Sequence, residues 1–271
     1  MQTFRVTTRP DGTYDVGPLA LPSAYRKGDI PAEFYRRQAS GEIPLIDQNL
    51  SPSDFVRTIV LKDGRFAGFA GEPRGAVLTF IISGQLVLGA DAGHAPRLVP
   101  GDLFLLDLDS ASRLTVTAED NCRLLQIGVA ADWPGPEAKI QAPTTLLPRS
   151  TKEPKIIRMY QGADDQSYLS QLPELFPAPA NQWSAPRPVV GFRLLCWEDG
   201  AIDWHPEVVN NLAVFLAGEL EVEVGGAGGA KDALRAGDVC LTQDRTGIGH
   251  ITKARGVVHV ATIVMATEDL W

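Results

Sequence analysis

The amino-acid sequence predicts an all-β chain of two tandem jelly-roll β-barrels that arose by internal duplication, with short helices and proline-rich loops between strands. Three observations support this fold class. The chain repeats itself at an offset of about 136 residues, and its apolar segments have the length and alternation of strands. In addition, 26 glycines and 20 prolines separate those segments. We expect about six to eight strands in each barrel.

Blocks of similar sequence recur in the same order in the two halves of the chain. Two pairs of blocks are separated by 136 residues and a third pair by 134, so only small insertions distinguish the copies. A further apolar segment closes each copy. We interpret this order as the result of a duplication and expect both copies to share one strand order. The pairs are residues 56–64 and 192–200, 78–86 and 212–220, 98–106 and 234–242, and the closing segments 124–129 and 257–265.

The matched blocks have the patterns of strands and turns. Residues 219–224 alternate polar and apolar side chains, as a half-buried strand does. The carboxylates at positions 219, 221 and 223 are therefore predicted to face water rather than to bind a cation. A Gly-Asp pair at 101–102 and again at 237–238 predicts a turn in which the aspartate accepts bonds from nearby amides.

A proline-rich stretch between residues 143 and 154 separates the copies. We place the domain boundary in this stretch. The N-terminal barrel is then predicted over residues 1–148, and the C-terminal barrel over residues 149–271.

Three local elements are predicted outside the matched blocks. Residues 156–160 have the pattern of a strand that introduces the second barrel. Residues 164–175 are predicted to contain a helical turn. A short helix is expected over residues 30–40, beginning at Pro31.

Composition and charge limit the class of partner. The net charge of −8 and the pI of about 5.1 argue against nucleic-acid binding, which requires a basic face. The longest apolar runs are far shorter than the ~20 residues that cross a bilayer, so no membrane partner is expected. The N-terminus lacks the pattern of a secretory signal, and the three isolated cysteines are typical of reduced thiols. We expect a cytoplasmic protein.

The C-terminal copy carries two sequence motifs. The first is Gly200-Ala-Ile-Asp-Trp-His205-Pro-Glu207, followed after ten residues by Gly218, and the second runs from Gly237-Asp238 to His250. These motifs resemble those of the cupin superfamily. Asp203-Trp-His-Pro and Gln243-Asp-Arg-Thr-Gly-Ile-Gly-His250 further resemble a poorly characterised cupin group. The resemblance implies two cupin-type barrels, often dimeric and sometimes holding a divalent metal, but no particular reaction.

Three side chains of the C-terminal copy form a candidate metal site. His205 and Glu207 lie two residues apart, so both side chains can share one face of a strand. His250 fits the last ligand of the cupin pattern, whereas Glu207 stands where the family has a second histidine. Two imidazoles and a carboxylate suit Fe(II), Mn(II), Ni(II) or Zn(II). In the alternative interpretation, the two histidines form a hydrogen-bonded pair in an apolar pocket and Glu207 lies at the rim.

Other polar residues near these motifs are candidates for binding a substrate. Asn211 stands where the cupin pattern has a glutamate, and Trp204 and Gln243 flank the two predicted histidine ligands. Asp244 is predicted to cap the loop before His250, because a carboxylate can accept bonds from the amides of a glycine-containing loop.

The remaining cysteine, tryptophan and histidine residues have simpler interpretations. Trp197 and Cys240 are interpreted as packing residues, His259 as a packing or surface residue, and His94 as a solvated loop residue. In the N-terminal copy, the equivalents of the metal ligands fall within residues 69–73 and 112–114, where no histidine occurs. The N-terminal barrel is therefore expected to lack the metal site.

Two functions follow as hypotheses. The first is a metal-dependent oxygenase or related enzyme acting on a small organic acid, amide or sugar-like molecule. The second is a non-catalytic small-molecule binding or sensor protein. Both have a small-molecule ligand as partner, and a homodimer is expected because association commonly covers open sheet edges.

Overall fold

A computed structural model gives the fold, and all regular structure in the part of the chain that it describes is β-strand. The predicted helix over residues 30–40 lies outside this part. No helix in the described ranges is long and apolar enough to cross a membrane. The described residues are 1–9, 14–21, 25–26, 50–67, 75–89, 95–107, 114–135, 152–197, 199–207, 209–225 and 229–266.

The strands are numbered in chain order. They are β1 Thr3–Thr8, β2 Tyr14–Pro18, β3 Tyr25–Arg26, β4 Ser51–Pro52, β5 Phe55–Val60, β6 Gly64–Ala67, β7 Ala76–Leu88, β8 Arg97–Leu98, β9 Leu103–Leu106, β10 Thr115–Val129, β11 Ile156–Gln161, β12 Ser167–Leu172, β13 Arg187–Trp197, β14 Gly200–His205, β15 Asn211–Val224, β16 Lys231–Arg235, β17 Val239–Gln243 and β18 His250–Met265.

The predicted strand at residues 156–160 is confirmed as part of β11. The helical turn predicted over residues 164–175 is wrong, because β12 occupies half of this range and no other residue of it is helical. Each residue of β12 pairs with β11 in an antiparallel hairpin. The backbone N–H and C=O groups of this segment therefore form hydrogen bonds between strands rather than within a helical turn.

The chain divides into two compact units. One division lies between residues 146 and 147, beside the predicted boundary at residue 148. Two segments depart from the predicted ranges, since residues 24–51 belong to the second unit and residues 175–188 to the first. The first unit thus takes structure from both halves of the chain: Thr58, on β5, donates its hydroxyl to the carbonyl of Phe176 and its amide to Ser184 Oγ.

The first unit is a jelly roll of two sheets that share β7 and β10. One sheet has the order β2–β1–β9–β7–β10–β5, in which β1 and β9 are parallel and the other neighbours antiparallel. The second sheet has the order β8–β7–β10–β6. Apolar side chains fill the space between the sheets, including Phe104 and Leu106 on β9, which are fully buried.

The second unit repeats this topology strand for strand. Its sheets have the orders β12–β11–β17–β15–β18–β13 and β16–β15–β18–β14, and β11 and β17 form the parallel pair. Eight described strands of each unit correspond, within the predicted number. The predicted duplication and the two-barrel jelly-roll fold are confirmed.

A glycine near the middle of one long strand in each unit allows that strand to join two sheets. Gly84 on β7 and Gly218 on β15 have φ of 70° and 80°, and each lies at an irregularity in the strand pairing. A Cβ on Gly218 would lie 2.3 Å from the Val257 carbonyl oxygen, and one on Gly84 would lie 2.7 Å from the Glu119 carbonyl oxygen. Both the positive φ and the close backbone require glycine here.

The predicted Gly-Asp turns are present in both units with the same bonds. Asp238 is buried, and its two carboxylate oxygens accept the amides of Lys155 and Arg235 at 2.9 and 2.8 Å. Asp102 in the first unit accepts the amides of Gln2 and Val99 in the same way. Each aspartate therefore links a turn to the start of the parallel strand pair.

The alternating carboxylates of β15 lie on the outer face of its sheet, as predicted. Each of them pairs with a basic side chain on an adjacent strand: Glu219 with Arg235, Glu221 with Arg255 and Glu223 with Lys231, at 2.7 to 2.8 Å. These exposed pairs contribute about 0–1 kcal/mol each, so their main effect is to keep this face polar.

The close backbone contact at Gly218 is testable. Gly218→Ala and Gly256→Ala both place a Cβ on a residue with φ near 80°, but Gly256 has no neighbouring atom within 4 Å of that Cβ. We expect Gly256→Ala to lower the free energy of unfolding by about 1 kcal/mol. Gly218→Ala should cost about 1–3 kcal/mol more. Urea denaturation measures both, and equal losses would contradict the steric account.

Candidate metal centre

Two buried histidines face each other at one end of the second unit. His205 ends β14 and His250 begins β18, and the antiparallel register pairs the two residues directly. Both are almost fully buried, and their ring centroids lie 4.5 Å apart. The strand pairing therefore brings together two imidazoles that lie 45 residues apart in the sequence.

Glu207 completes a set of three candidate ligands. One ligand atom from each of His205, Glu207 and His250 lies within 4.8 Å of the others. Atoms bound to one ion at about 2.1 Å in tetrahedral geometry lie about 3.4 Å apart, so side-chain shifts of up to about 1.4 Å would bring the set onto one ion. The donor set fits a borderline divalent metal.

Hydrogen bonds at Nδ1 orient both imidazoles. His205 Nδ1 lies 2.8 Å from the carbonyl oxygen of Asp203, which only accepts, so this nitrogen carries the proton. His250 Nδ1 lies 2.7 Å from Asp244 Oδ2. In both rings, Nε2 then carries the lone pair that a metal would bind.

Asp244 is a site residue that the sequence analysis assigned differently. Its carboxylate was expected to accept loop amides, but Oδ2 instead accepts bonds from His250 and from the hydroxyl of Ser167. Asp244 is fully buried, and its backbone carbonyl also accepts the amide of Glu207 at 3.1 Å. A carboxylate behind a ligating histidine fixes the ring and raises its basicity. The sequence signal for this contact is the spacing of Asp244 and His250, which are separated by five residues.

The two glycines of the loop before His250 allow close packing. Gly249 has φ of 79°, and a Cβ there would lie 2.2 Å from the carbonyl of His205. Gly247 has φ of 77°, and its Cβ would lie 2.4 Å from the carbonyl oxygen of Asp165. The loop thus contacts both the strand that carries His205 and the β11–β12 hairpin, which explains the Gly-Ile-Gly-His sequence.

Asn211 lies beside the candidate ligands, as predicted, and orients one of them. Its Nδ2 donates to Glu207 Oε2 at 3.2 Å, and its buried backbone carbonyl accepts the hydroxyl of Thr242. Asn211 therefore holds the carboxylate at the site although it occupies the position of a cupin glutamate.

The other two candidate substrate-binding residues lie elsewhere. Strand alternation turns the half-buried Trp204 to the face opposite His205. Gln243 accepts a bond from Arg158 Nε at 2.6 Å. The described residues that line the cavity include Asn211 but neither of these two, and their role in binding a substrate stays a prediction.

Trp197 and Cys240 are buried, as predicted, and His259 is buried rather than at the surface. Trp197 and Cys240 belong to the core of the second unit, and His259 is buried on β18. Desolvation raises the pKa of the Cys240 thiol and lowers the pKa of His259, so both groups favour their neutral forms. Position 94 lies outside the described residues.

A cavity of about 520 Å³, a volume that includes its opening, extends from the candidate ligands into the second unit. Glu207, Asn211, Thr242 and His250 line its polar part, and apolar side chains such as Phe215 form its inner wall. Two of the candidate ligands, Glu207 and His250, therefore lie on the wall of this cavity.

The first unit shows why the second has a cavity. The strand registers identify equivalent positions, and at three of them a fully buried apolar side chain of the first unit is replaced by a smaller or polar one that lines the cavity. The scaffold is therefore the same in both copies, while these positions are filled in one and open in the other. The pairs are Val77 and Asn211, Phe104 and Cys240, and Leu106 and Thr242.

The chain is similar to some solved structures at low sequence identity. No protein-family model and no curated protein matches the chain. Similar solved structures include a cupin 2 conserved barrel domain protein from Leptotrichia buccalis, which is 12% identical. The match covers 81% of this chain and 86% of that chain, with a TM-score of 0.36. A DUF861-family protein of unknown function from Pseudomonas syringae pv. tomato is 12% identical. The match covers 97% of this chain and 100% of that chain, with a TM-score of 0.37.

Oxalate decarboxylase from Bacillus subtilis, a protein with Mn(II) centres, is also similar, with 14% identity, 80% of this chain and 74% of that chain covered, and a TM-score of 0.27. The jelly-roll fold is assigned from the strand pairing of each unit, and the motifs around His205 and His250 resemble those of cupins.

The role of Asp244 leads to a prediction. Asp244→Asn removes the charge behind His250, and we expect divalent-metal affinity to fall about 10- to 100-fold. Asp164→Asn is the matched control, because Asp164 is an exposed aspartate bonded to Tyr168 Oη in the same unit. Isothermal titration with Mn(II) measures both variants. Unchanged affinity in Asp244→Asn would show that this carboxylate does not support a ligand.

The difference between the two units leads to a reciprocal prediction. Phe104→Cys should lower the free energy of unfolding by about 3–5 kcal/mol, because it opens a void in a filled core. Cys240→Phe should cost less than about 1 kcal/mol or stabilise the protein, because the cavity accepts the ring. Denaturation monitored by circular dichroism measures both. A loss of about 1–3 kcal/mol in Cys240→Phe would indicate overpacking and contradict the cavity.

Proposed function

We propose that the protein is a metal-dependent cupin-type enzyme, an oxygenase or a related enzyme of small-molecule chemistry, with its active site in the second unit. One observation carries this proposal: ligand atoms of His205, Glu207 and His250 lie within 4.8 Å of one another, and Glu207 and His250 line a cavity. Buried imidazoles oriented through Nδ1, one of them by a carboxylate, are the usual surroundings of metal ligands.

The donor set supports Fe(II), Mn(II), Ni(II) or Zn(II) as the metal. Three protein ligands would leave coordination positions for a substrate or water. A divalent ion held there would act as a Lewis acid on a ligand oxygen, and iron would in addition supply oxygen chemistry.

The chain's own residues would prepare this site for a small molecule. Asp244 and the Asp203 carbonyl hold the two rings in one tautomer, and Asn211 orients the Glu207 carboxylate. The apolar wall of the cavity excludes water, which strengthens electrostatic interactions with a bound ligand.

A second candidate function is a non-catalytic small-molecule binding or sensor protein. Among the described residues that line the cavity, Glu207 is the only carboxylate, and it is also a candidate ligand. The Cys240 thiol has a raised pKa and is therefore a poor nucleophile. The cavity thus offers few groups for general acid–base catalysis beyond the metal ligands, which favours binding.

The metal site is tested by removing a ligand. Wild-type protein reloaded with Fe(II), Mn(II), Ni(II) or Zn(II) should bind one ion per chain, and His205→Ala should lose that ion because two remaining ligands hold a divalent metal weakly. His94→Ala should retain it, since the sequence predicts that His94 is solvated. Elemental analysis after gel filtration measures the content. Wild-type protein that stays metal-free with each metal in turn would contradict the proposal and favour the sensor function.

A further inference from the structure

A further pair of equivalent positions differs by a single polar atom. Val116 on β10 pairs with residues of β6 and β7, and Thr252 on β18 pairs with residues of β14 and β15 in the same way. The two residues are also separated by the repeat offset of 136 residues. Valine and threonine have nearly the same shape, so the second unit has a hydroxyl where the first has a methyl group.

The side chains around these two positions are buried and apolar in both units. Of four neighbouring pairs, three are identical, and in the fourth a leucine of the first unit is replaced by a valine. The pairs are Leu86 and Leu220, Leu88 and Val222, Leu98 and Leu234, and Ala118 and Ala254. The threonine therefore entered surroundings that kept their apolar character.

The hydroxyl of Thr252 is buried and has no hydrogen-bond partner in the part of the chain that the structure describes. Thr252 is 4% exposed and lines the cavity of the second unit, together with Val222 and Leu234. A buried hydroxyl without a partner destabilises the folded protein, because it has lost its bonds to water. Val116 shows that valine fits the same position. The fold therefore gives no reason for the threonine, whereas a ligand in the cavity does.

We propose that Thr252 Oγ1 forms a hydrogen bond with a neutral oxygen group, a hydroxyl or a carbonyl, of an otherwise apolar small molecule bound in this cavity. The apolar neighbours of Thr252 favour a neutral group, because a charge buried among them would lose its hydration. A threonine hydroxyl can donate to a carbonyl, and it can donate to or accept from a hydroxyl. The inference deepens the proposed function and rests on it, since it names a ligand class and a binding residue for the same cavity.

The remaining wall of the cavity suits an apolar body of this kind. Trp197 and Phe215 contribute aromatic rings and Met159 a thioether, and all three groups pack favourably against a ring. Thr252 follows His250 by two residues on the same face of β18, which places their Cα atoms ~7 Å apart. A single six-membered ring can therefore lie beside the candidate ligand His250 and carry an oxygen to the hydroxyl of Thr252.

The test uses phenol and toluene, which have the same shape and differ by one hydroxyl. Isothermal titration of the full chain, both metal-free and loaded with Mn(II), measures each probe on the wild type and on Thr252→Val. We expect Thr252→Val to weaken phenol binding about 3- to 10-fold, the effect of one neutral hydrogen bond, and to leave toluene binding unchanged or stronger. Thr252→Ser keeps the hydroxyl, so it should change the affinities of both probes by the same factor.

Thermal unfolding separates a binding role of Thr252 from a structural one. Without ligand, Thr252→Val should raise the midpoint by about 2–4 °C, because it removes the buried hydroxyl. The matched control Val116→Thr introduces a hydroxyl at the equivalent position of the first unit. It should lower the midpoint by at least as much and leave phenol binding unchanged.

Three results would overturn the inference: equal effects of Thr252→Val on phenol and toluene, a lower thermal midpoint in that variant, or no phenol binding at millimolar concentration. If one Mn(II) binds per chain in the same protein, the proposed metal site stands without the inference. Phenol binding that depends on the Thr252 hydroxyl in a protein that binds no metal would support the inference and contradict the proposed metal site.

Discussion

Two buried aspartates fix β17, and the candidate site depends on the position of that strand. Asp238 precedes β17 and accepts two backbone amides, which sets the parallel register of β17 against β11. Asp244 follows β17 and accepts a bond from His250. Burial raises the pKa of Asp238, so its charged form is held in place by hydrogen bonds rather than by solvation. Between these anchors, β17 turns Cys240 and Thr242 into the cavity.

Because the chain is duplicated, each unit can be compared directly with the other. Both units share the Gly-Asp turns, the mid-strand glycines and an inward arginine, so these features belong to the scaffold. What distinguishes the units is side-chain volume and polarity at inward positions of the same strands. Because these changes leave the backbone pairing unaltered, one copy can keep a dense core while the other acquires a cavity and a donor set.

Much of the architecture was predictable from the sequence, because the repeat aligned the strands, and the motif spacing predicted His205, Glu207, Asn211 and His250 as candidate site residues. The contact of Asp244 with His250 was not predicted, since a carboxylate near glycines can bond either to loop amides or to an imidazole, and only the path of the loop decides between them. The strand at residues 167–172 has weak apolar alternation, and its pairing with β11 decides its conformation.

The membership of residues 175–188 in the first unit affects the order in which the protein can fold during synthesis. Trp183 and Ser184 contact Arg57 and Thr58, although more than 120 residues separate them in the chain. A ribosome releases the chain from its N-terminus, so β5 emerges well before the partners that complete its surroundings. The first unit can therefore acquire its full set of contacts only when part of the second sequence repeat has been translated. The folding of the two units is thus completed in overlapping periods.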